Sequence, residues 1–157
     1  MNKRVLALVA LAFLLTPLLA ACDGSNGSLA GRLVFLPRQL GGYDIRLGRG
    51  GGQPLELTHN LPWDASPVWA PDGSGIAFYG DRKFNIRDRD DNVDIYVMAP
   101  DGSSMVRLTE EDAHDAFPYW SPDSSQLLFY SERDGDGDVY AMNRDGSQVR
   151  QITNDSA

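Results

Sequence analysis

The chain has one cysteine, Cys22, and two histidines among its 157 residues. A single thiol excludes an internal disulfide and a thiolate metal site, so the folded part must be held by packing alone. His59 and His114 occupy unrelated places, and no His-Glu-x-x-His or comparable ligand spacing occurs, which leaves metallohydrolase chemistry without residues to rest on. There is no Gly-x-Ser-x-Gly elbow for a serine nucleophile. Positive charge is scarce too, with 14 Lys and Arg against 22 Asp and Glu. Nucleic-acid binding needs a basic footprint to displace counterions, so that partner class drops out. The expectation is a protein that is not an enzyme.

The one long apolar run, Val5 to Ala21, follows the positive start "MNKR", holds Pro17 and ends at Cys22. It falls short of the roughly 20 apolar residues of a spanning helix and has the layout of an export signal. "LAAC" puts Leu19 at −3 and Cys22 at +1 of the cut, and this resembles the lipobox of bacterial lipoproteins. The resemblance implies that residues 1–21 are removed, that the Cys22 thiol receives a diacylglycerol, and that Cys22 becomes the new amino terminus. Acylation of that kind would fix the protein on a membrane, since one chain alone is marginal and further chains add to it. The expected location is the cell envelope, on the outer side of the plasma membrane, or its periplasmic face where an outer membrane exists. Residues 22–32, with the Gly/Ser-rich "DGSNGSLAG", read as the lipidated cysteine and a flexible tether.

What is abundant is repetition. "PVWAPD" (67–72) returns as "PYWSPD" (118–123), and "IAFYGDR" (76–82) as "LLFYSER" (127–133), both 51 positions later. "DIYVMAPDGSSMVRLT" (94–109) returns as "DVYAMNRDGSQVRQIT" (138–153) after 44, so seven residues are inserted in the earlier copy within "KFNIRDRDDN" (83–92). A weaker copy precedes both: "LVF" (33–35), "YDIRLG" (43–48) and "LELT" (55–58). A fixed period of this length means stacked units.

Each full unit contains four short segments rich in β-branched and aromatic residues, separated by Pro-Asp-Gly and Asp-Gly-Ser turns. Short loops force antiparallel neighbours, so one unit is a four-stranded antiparallel sheet. Both of its faces read as largely apolar, and packing such sheets face to face around an axis buries them. The pattern "P-x-W-[AS]-P-D", "[ILV]-x-F", "D-[IV]-Y-x-M", "D-G-S" and "[LI]-T" is similar to the repeat of the TolB-like propeller family over residues 33–153. The resemblance implies an all-β fold, a β-propeller with repeats at about 33–62, 63–112 and 113–157. It also implies that Trp69 and Trp120 pack between neighbouring blades and that Phe78, Phe129, Tyr96 and Tyr140 are structural.

The propeller is incomplete as written. Three units are fewer than the four to eight of known propellers, and the first lacks its "P-x-W" strand. A fragment of a longer gene, a half-ring completed by self-association into a homo-oligomer, and an open arc all remain open.

Antiparallel order places the Asp-Gly turns on one side and the remaining loops on the other. That loop side carries Asp64, Asp81, Asp112, Asp115, Glu132, Asp134 and Asp136, opposed by Arg82, Lys83 and Arg133 among others. "DGDGD" (134–138) alternates oxygen side chains as a calcium loop does, making Asp134, Asp136 and Asp138 candidate ligands for Ca2+. A calcium loop would continue with glycine where Val139 stands, and the family's repeats often carry a metal-free turn here, so a solvated acidic turn is the preferred reading. Phe84 and Ile86 lie in the charged insertion, where they either dock in a partner or fold back on their blade. With Asp112, His114 and Phe117 they form the candidate partner-binding set. The resemblance implies a non-catalytic scaffold that binds an envelope protein or peptide. The rivals are the propeller of a prolyl-oligopeptidase-like peptidase and a sugar-binding ring, for which Phe117 is the nearest aromatic.

Overall fold

The computed structural model describes residues 33–36, 44–48, 53–59, 63–81 and 92–154. These form three antiparallel sheets in chain order. The first holds β1 (Leu33–Phe35), β2 (Arg46–Gly48) and β3 (Leu55–Glu56). The second holds β4 (Trp63–Trp69), β5 (Ile76–Asp81), β6 (Asp94–Met98) and β7 (Val106–Arg107). The third holds β8 (Asp115–Trp120), β9 (Gln126–Ser131), β10 (Asp138–Asn143) and β11 (Arg150–Gln151). Every sheet is a simple meander, as turn-length connections require. The expected four-stranded blade is present twice, and the first unit has three strands among the described residues.

The turns explain why the strands stop where they do. In the second blade the Ala70 N–H donates to the Gly75 carbonyl at 2.9 Å and the Gly73 N–H to the Ala70 carbonyl at 2.8 Å. Gly73 takes a φ of 71° there, which glycine adopts without penalty. A second device repeats four times: one carboxylate oxygen of Asp72, Asp101, Asp123 and Asp145 accepts from the backbone N–H and the hydroxyl of the serine two residues on. Aspartate bonding the backbone two residues ahead mimics a turn and fixes it. A third device closes each blade on its outer edge. Thr58, Thr109 and Thr153 accept, through Oγ1, the N–H of Ile45, Ile95 and Val139 at 2.8, 3.0 and 2.9 Å.

The first strands differ from expectation in one respect. β4 and β8 begin at Trp63 and Asp115, well before the Pro-x-Trp triplets, and each is broken by a bulge, between Ala65 and Val68 and between Ala116 and Tyr119. The cause is the proline, which has no N–H for the ladder, so pairing is lost around it and resumes upstream. The residues just ahead of the prolines absorb the change, with φ of 48° at Ser66 and 55° at Phe117. A non-glycine residue in that region costs about 1–3 kcal/mol and is held there by its surroundings.

Two seams hold the sheets face to face. Between the first and second sheets lie Val34, Ile45, Leu47 and Leu57 against Trp69, Ile76, Phe78, Tyr96 and Met98. Between the second and third lie Ala65, Ala77, Tyr79 and Ile95 against Trp120, Leu127, Phe129, Tyr140 and Met142. Each blade thus offers a face of large aromatics backward and a face of smaller residues forward. Trp69 and Trp120 are 4% and 6% exposed, sandwiched as expected. An indole removed from water this completely contributes a few kcal/mol, about 25 cal/mol per Å2 of apolar area.

Candidate functional site

The loop side of the third blade gathers the candidate residues around Tyr130. Its ring meets His114 edge-on at 6.3 Å and Phe117 at 6.5 Å between centroids. Its hydroxyl donates to Glu132 Oε1 at 2.7 Å. Tyr130 lies against Gly137 in the acidic turn, where a Cβ would stand 2.5 Å from the ring carbon Cε2. Only glycine lets the phenol lie over that turn. Partial burial, together with the Glu132 carboxylate, pushes the Tyr130 hydroxyl up to about 12, so it stays a neutral donor. Tyr130 was not singled out in the sequence, although the glycine opposite a tyrosine in the hairpin is the signal that marks it.

Of the candidate partner-binding residues, Asp112 is exposed and accepts from Asn92 Nδ2 at 3.1 Å. His114 is half-buried on Tyr130. Phe117 is half-buried as well, and its ring meets Tyr79 of the preceding blade edge-on at 5.2 Å. It is part of the seam, and the bulge at its own backbone turns it there. Phe84, Ile86 and Cys22 lie outside the described residues, as does most of "DRDDNVD".

Asp134, Asp136 and Asp138 do converge, each with one oxygen within 4.8 Å of the others, the first two exposed and the third buried. Oxygens of Asp134 and Asp138 are also engaged by the protein's own donors. Asp138 accepts from Thr153 Oγ1 at 2.6 Å through Oδ1 and from Gln151 Nε2 at 2.9 Å through Oδ2. Gln151 Nε2 bonds Asp134 as well. The two donors come from the last strand and its continuation, so the acidic turn is tied down by neutral hydrogen bonds.

Two loop-side carboxylates are not solvated. Asp64 and Asp115, which the sequence places among the acids of the loop side, are fully buried. They open the first strands β4 and β8, where the sheet stacks cover them. Asp115 is paired with Arg133, whose Nη2 stands 3.2 and 3.0 Å from its two oxygens. Arg133 Nε donates to Ser131 Oγ at 2.9 Å, and its guanidinium lies 5.2 and 4.9 Å from the ring centres of Phe129 and Tyr140. A buried charge needs this full set of partners. Arg133 is therefore a brace within the blade and no longer a counter-charge on the loop surface.

On the opposite side, Arg144 latches the third blade to the second. Its Nη1 donates to Ser74 Oγ at 2.6 Å and faces Asp72 Oδ2 at 3.4 Å, while the guanidinium covers the Trp120 ring at 5.2 Å. The matching position of the second blade is Pro100, and a departure from the repeat is the sequence signal for such a latch.

Comparison with known proteins agrees with this architecture. Residues 84–157 match the family model of the TolB beta propeller domain. A solved TolB-type structure from Agrobacterium tumefaciens superposes with a TM-score of 0.62 at 30% identity, over 80% of this chain and 43% of that one. TolB from Acinetobacter baumannii superposes with a TM-score of 0.57 at 26% identity, over 73% of this chain and 27% of that one. An uncharacterized peptidase of Bacillus subtilis, YuxL, is 33% identical over 77 residues, which is 49% of this chain and 11% of the peptidase. The chain thus spans less than half the length of each of these relatives. Strand order, turn chemistry and the tryptophan seam repeat at Trp63–Arg107 what is found at Asp115–Gln151, and the repeats are TolB-like β-propeller blades, with residues 84–157 matching the TolB beta propeller domain.

Proposed function

We propose that the protein is a lipid-anchored envelope module that holds a protein or peptide partner on its loop side without chemical turnover. The anchor is Cys22, reached through the tether at residues 22–32, and the propeller segment begins at residue 33. The observation that carries the reading is the loop side of the third blade. Exposed Asp112, Glu132, Asp134 and Asp136 share that side with the half-buried rings of Tyr130 and His114, which pack edge-on and rest on Phe117 at the seam behind them. Fixed aromatics with a charged rim suit a basic or amphipathic peptide, because rings lose little entropy on binding. The likeness to TolB supports a binding role.

The test has two arms. Conversion of Cys22 to serine is expected to move the protein from the membrane to the soluble fraction and to abolish metabolic labelling by palmitate; retention in the membrane would overturn the anchor. Glu132→Lys with Asp136→Lys is expected to remove binding of a basic amphipathic test peptide, and unchanged binding would overturn the loop-side role.

The likeness to YuxL favours a second reading, in which these blades derive from the propeller of a peptidase. It predicts that the full chain, added to a prolyl-peptidase catalytic domain, alters cleavage of long over short peptides. No change in that ratio would remove it.

A further inference from the structure

Five Asp-Gly pairs lie within the described residues: Asp72-Gly73, Asp101-Gly102, Asp134-Gly135, Asp136-Gly137 and Asp145-Gly146. Glycine after aspartate leaves the chain open to rearrangement, because no side chain shields the glycine nitrogen from the aspartate carboxyl carbon. The reaction needs two freedoms. The carboxyl must swing over the next backbone nitrogen, and that nitrogen must give up its proton. Hydrogen bonds decide whether a folded chain permits either.

Four of the pairs are held on both counts. Oδ1 of Asp72, Asp101 and Asp145 accepts the backbone N–H of the serine two residues on at 2.9, 2.9 and 3.0 Å, and its hydroxyl as well. These bonds fix the side chain and favour the carboxylate over the neutral acid that the reaction consumes. Asp134 is held by Gln151 Nε2. The N–H groups of Gly73, Gly102, Gly135 and Gly146 donate to the carbonyls of Ala70, Ala99, Glu132 and Asn143 at 2.8, 2.9, 3.1 and 2.9 Å. Asp136-Gly137 has neither restraint. Asp136 is exposed and its carboxylate accepts no hydrogen bond among the described residues. Its near neighbours, the carboxylates of Asp134 and Asp138, offer it no donor. Gly137 is exposed too and lies just outside the last ladder pair, Asp138↔Ser131, and its N–H finds no acceptor among the described residues.

We propose that Asp136 is a site of spontaneous isomerisation to isoaspartate, and that the fold confines the reaction to this one of the five pairs. With the Asp136 carboxyl in its neutral acid form, the Gly137 nitrogen attacks Cγ. The new N–Cγ bond forms as the Cγ–OH bond breaks, and the hydroxyl leaves with the amide proton as water. The five-membered succinimide then takes up one water at the backbone carbonyl carbon of Asp136, where the original C–N bond breaks. One water leaves and one enters, so mass is unchanged and nothing is oxidised or reduced. The chain now runs through the former side chain, one backbone atom longer, and the free acid is the α-carboxylate. The lengthened segment is the one Tyr130 rests on, since a Cβ at Gly137 would stand 2.5 Å from Tyr130 Cε2. The added atom breaks that fit and loosens the hairpin between β9 and β10. None of this depends on the loop side binding a partner.

The full chain is aged at neutral pH in buffer and, in parallel, in concentrated urea. Radioactive methyl transfer by an isoaspartyl methyltransferase counts the isoaspartate, and fragmentation mass spectrometry of the peptides locates it. In buffer, isoaspartate at 136 should exceed that at 72, 101, 134 or 145 several-fold; in urea, where the hydrogen bonds are gone, the five should converge. Asp136→Glu, which would have to close a six-membered ring, should remove most of the label from the folded chain with an unchanged circular dichroism spectrum. The isomerised fraction should exchange amide hydrogens faster over residues 131–138 than fresh protein, with residues 126–129 unaltered. Equal isoaspartate at the five pairs in buffer, a maximum at any other pair, or undiminished label in Asp136→Glu would overturn the site. Isomerisation at 136 with unchanged exchange would overturn its effect on the hairpin.

Discussion

The two seams are written in nearly the same letters and are not equally finished. Trp120 crosses to the preceding blade and finds a carbonyl, that of Val68, for its indole N–H. Trp69 is as deeply buried, and its Nε1 has no hydrogen-bond partner among the described residues. The difference lies in the blade each indole faces. Trp120 faces a four-stranded sheet whose first strand supplies the acceptor, whereas Trp69 faces a sheet of three described strands, β1 to β3, with no counterpart of Val68 among the described residues. A buried donor left unpaired costs roughly 1–3 kcal/mol. An identical residue in an identical motif is thus an asset in one seam and a liability in the other.

The largest expected break in the later seam comes from the brace beneath it. Asp115→Ala leaves the half-buried Arg133 guanidinium without its carboxylate and should cost about 2–3 kcal/mol, below the figure for a fully buried pair, read by urea denaturation as a fall in midpoint with unchanged slope. Replacing both residues by apolar ones of similar size should recover most of the loss; no recovery would mean that the pair does more than satisfy itself.

Glycine substitutions compare the seams at the hairpin tips. Gly102 has a φ of 85°, and a Cβ there would stand 2.8 Å from the Leu57 carbonyl of the preceding blade; at Gly146, with φ 83°, it would stand 3.0 Å from the Leu108 carbonyl. Gly135 has φ 102° with open space around it. Alanine at 135 should cost only the backbone penalty of about 1–2 kcal/mol. Alanine at 102 or 146 should cost visibly more, measured by thermal melts. Equal costs at all three would show that the tips do not bear on the neighbouring blade.

The indoles themselves give a smaller, more pointed contrast. Trp120→Phe loses a hydrogen bond, whereas Trp69→Phe removes an unpaired polar group. With the same change of volume in both, the first should be the more destabilising by about 1 kcal/mol. Equal losses would place an acceptor over Trp69.

The pH dependence is the weakest probe. Serine hydrogen bonds lower the carboxyls of Asp72, Asp101 and Asp145, and those of Ser121 and Ser125 hold Asp123 at about 2. A depressed folded-state value means that the stabilisation is fully present above the unfolded value, about 3.9 for aspartate, and is lost as pH falls through the folded one. Stability should therefore drop between about pH 4 and pH 2, with Asp123→Asn flattening part of the slope in denaturant titrations.

Much of this was legible in the sequence. Antiparallel blades, the sandwiched tryptophans and the weak first unit follow from the repeat and its turn residues, because short-range turn chemistry and alternation act locally. The early start of β4 and β8 was not, since the pairing that resumes ahead of each proline belongs to a partner strand. Nor were the burial of Asp115, the inward turn of Phe117 or the part played by Tyr130.

The sequence by itself determined the unit: which residues make strands, which make turns, and that each sheet needs a neighbour. Only the tertiary structure decided which of the repeated groups find partners. Trp69 and Trp120, or Ala77 and Leu128, have the same local surroundings and different fates, because burial and hydrogen-bond satisfaction depend on the adjoining blade. That neighbour is remote in the chain, and no local pattern records whether it is there.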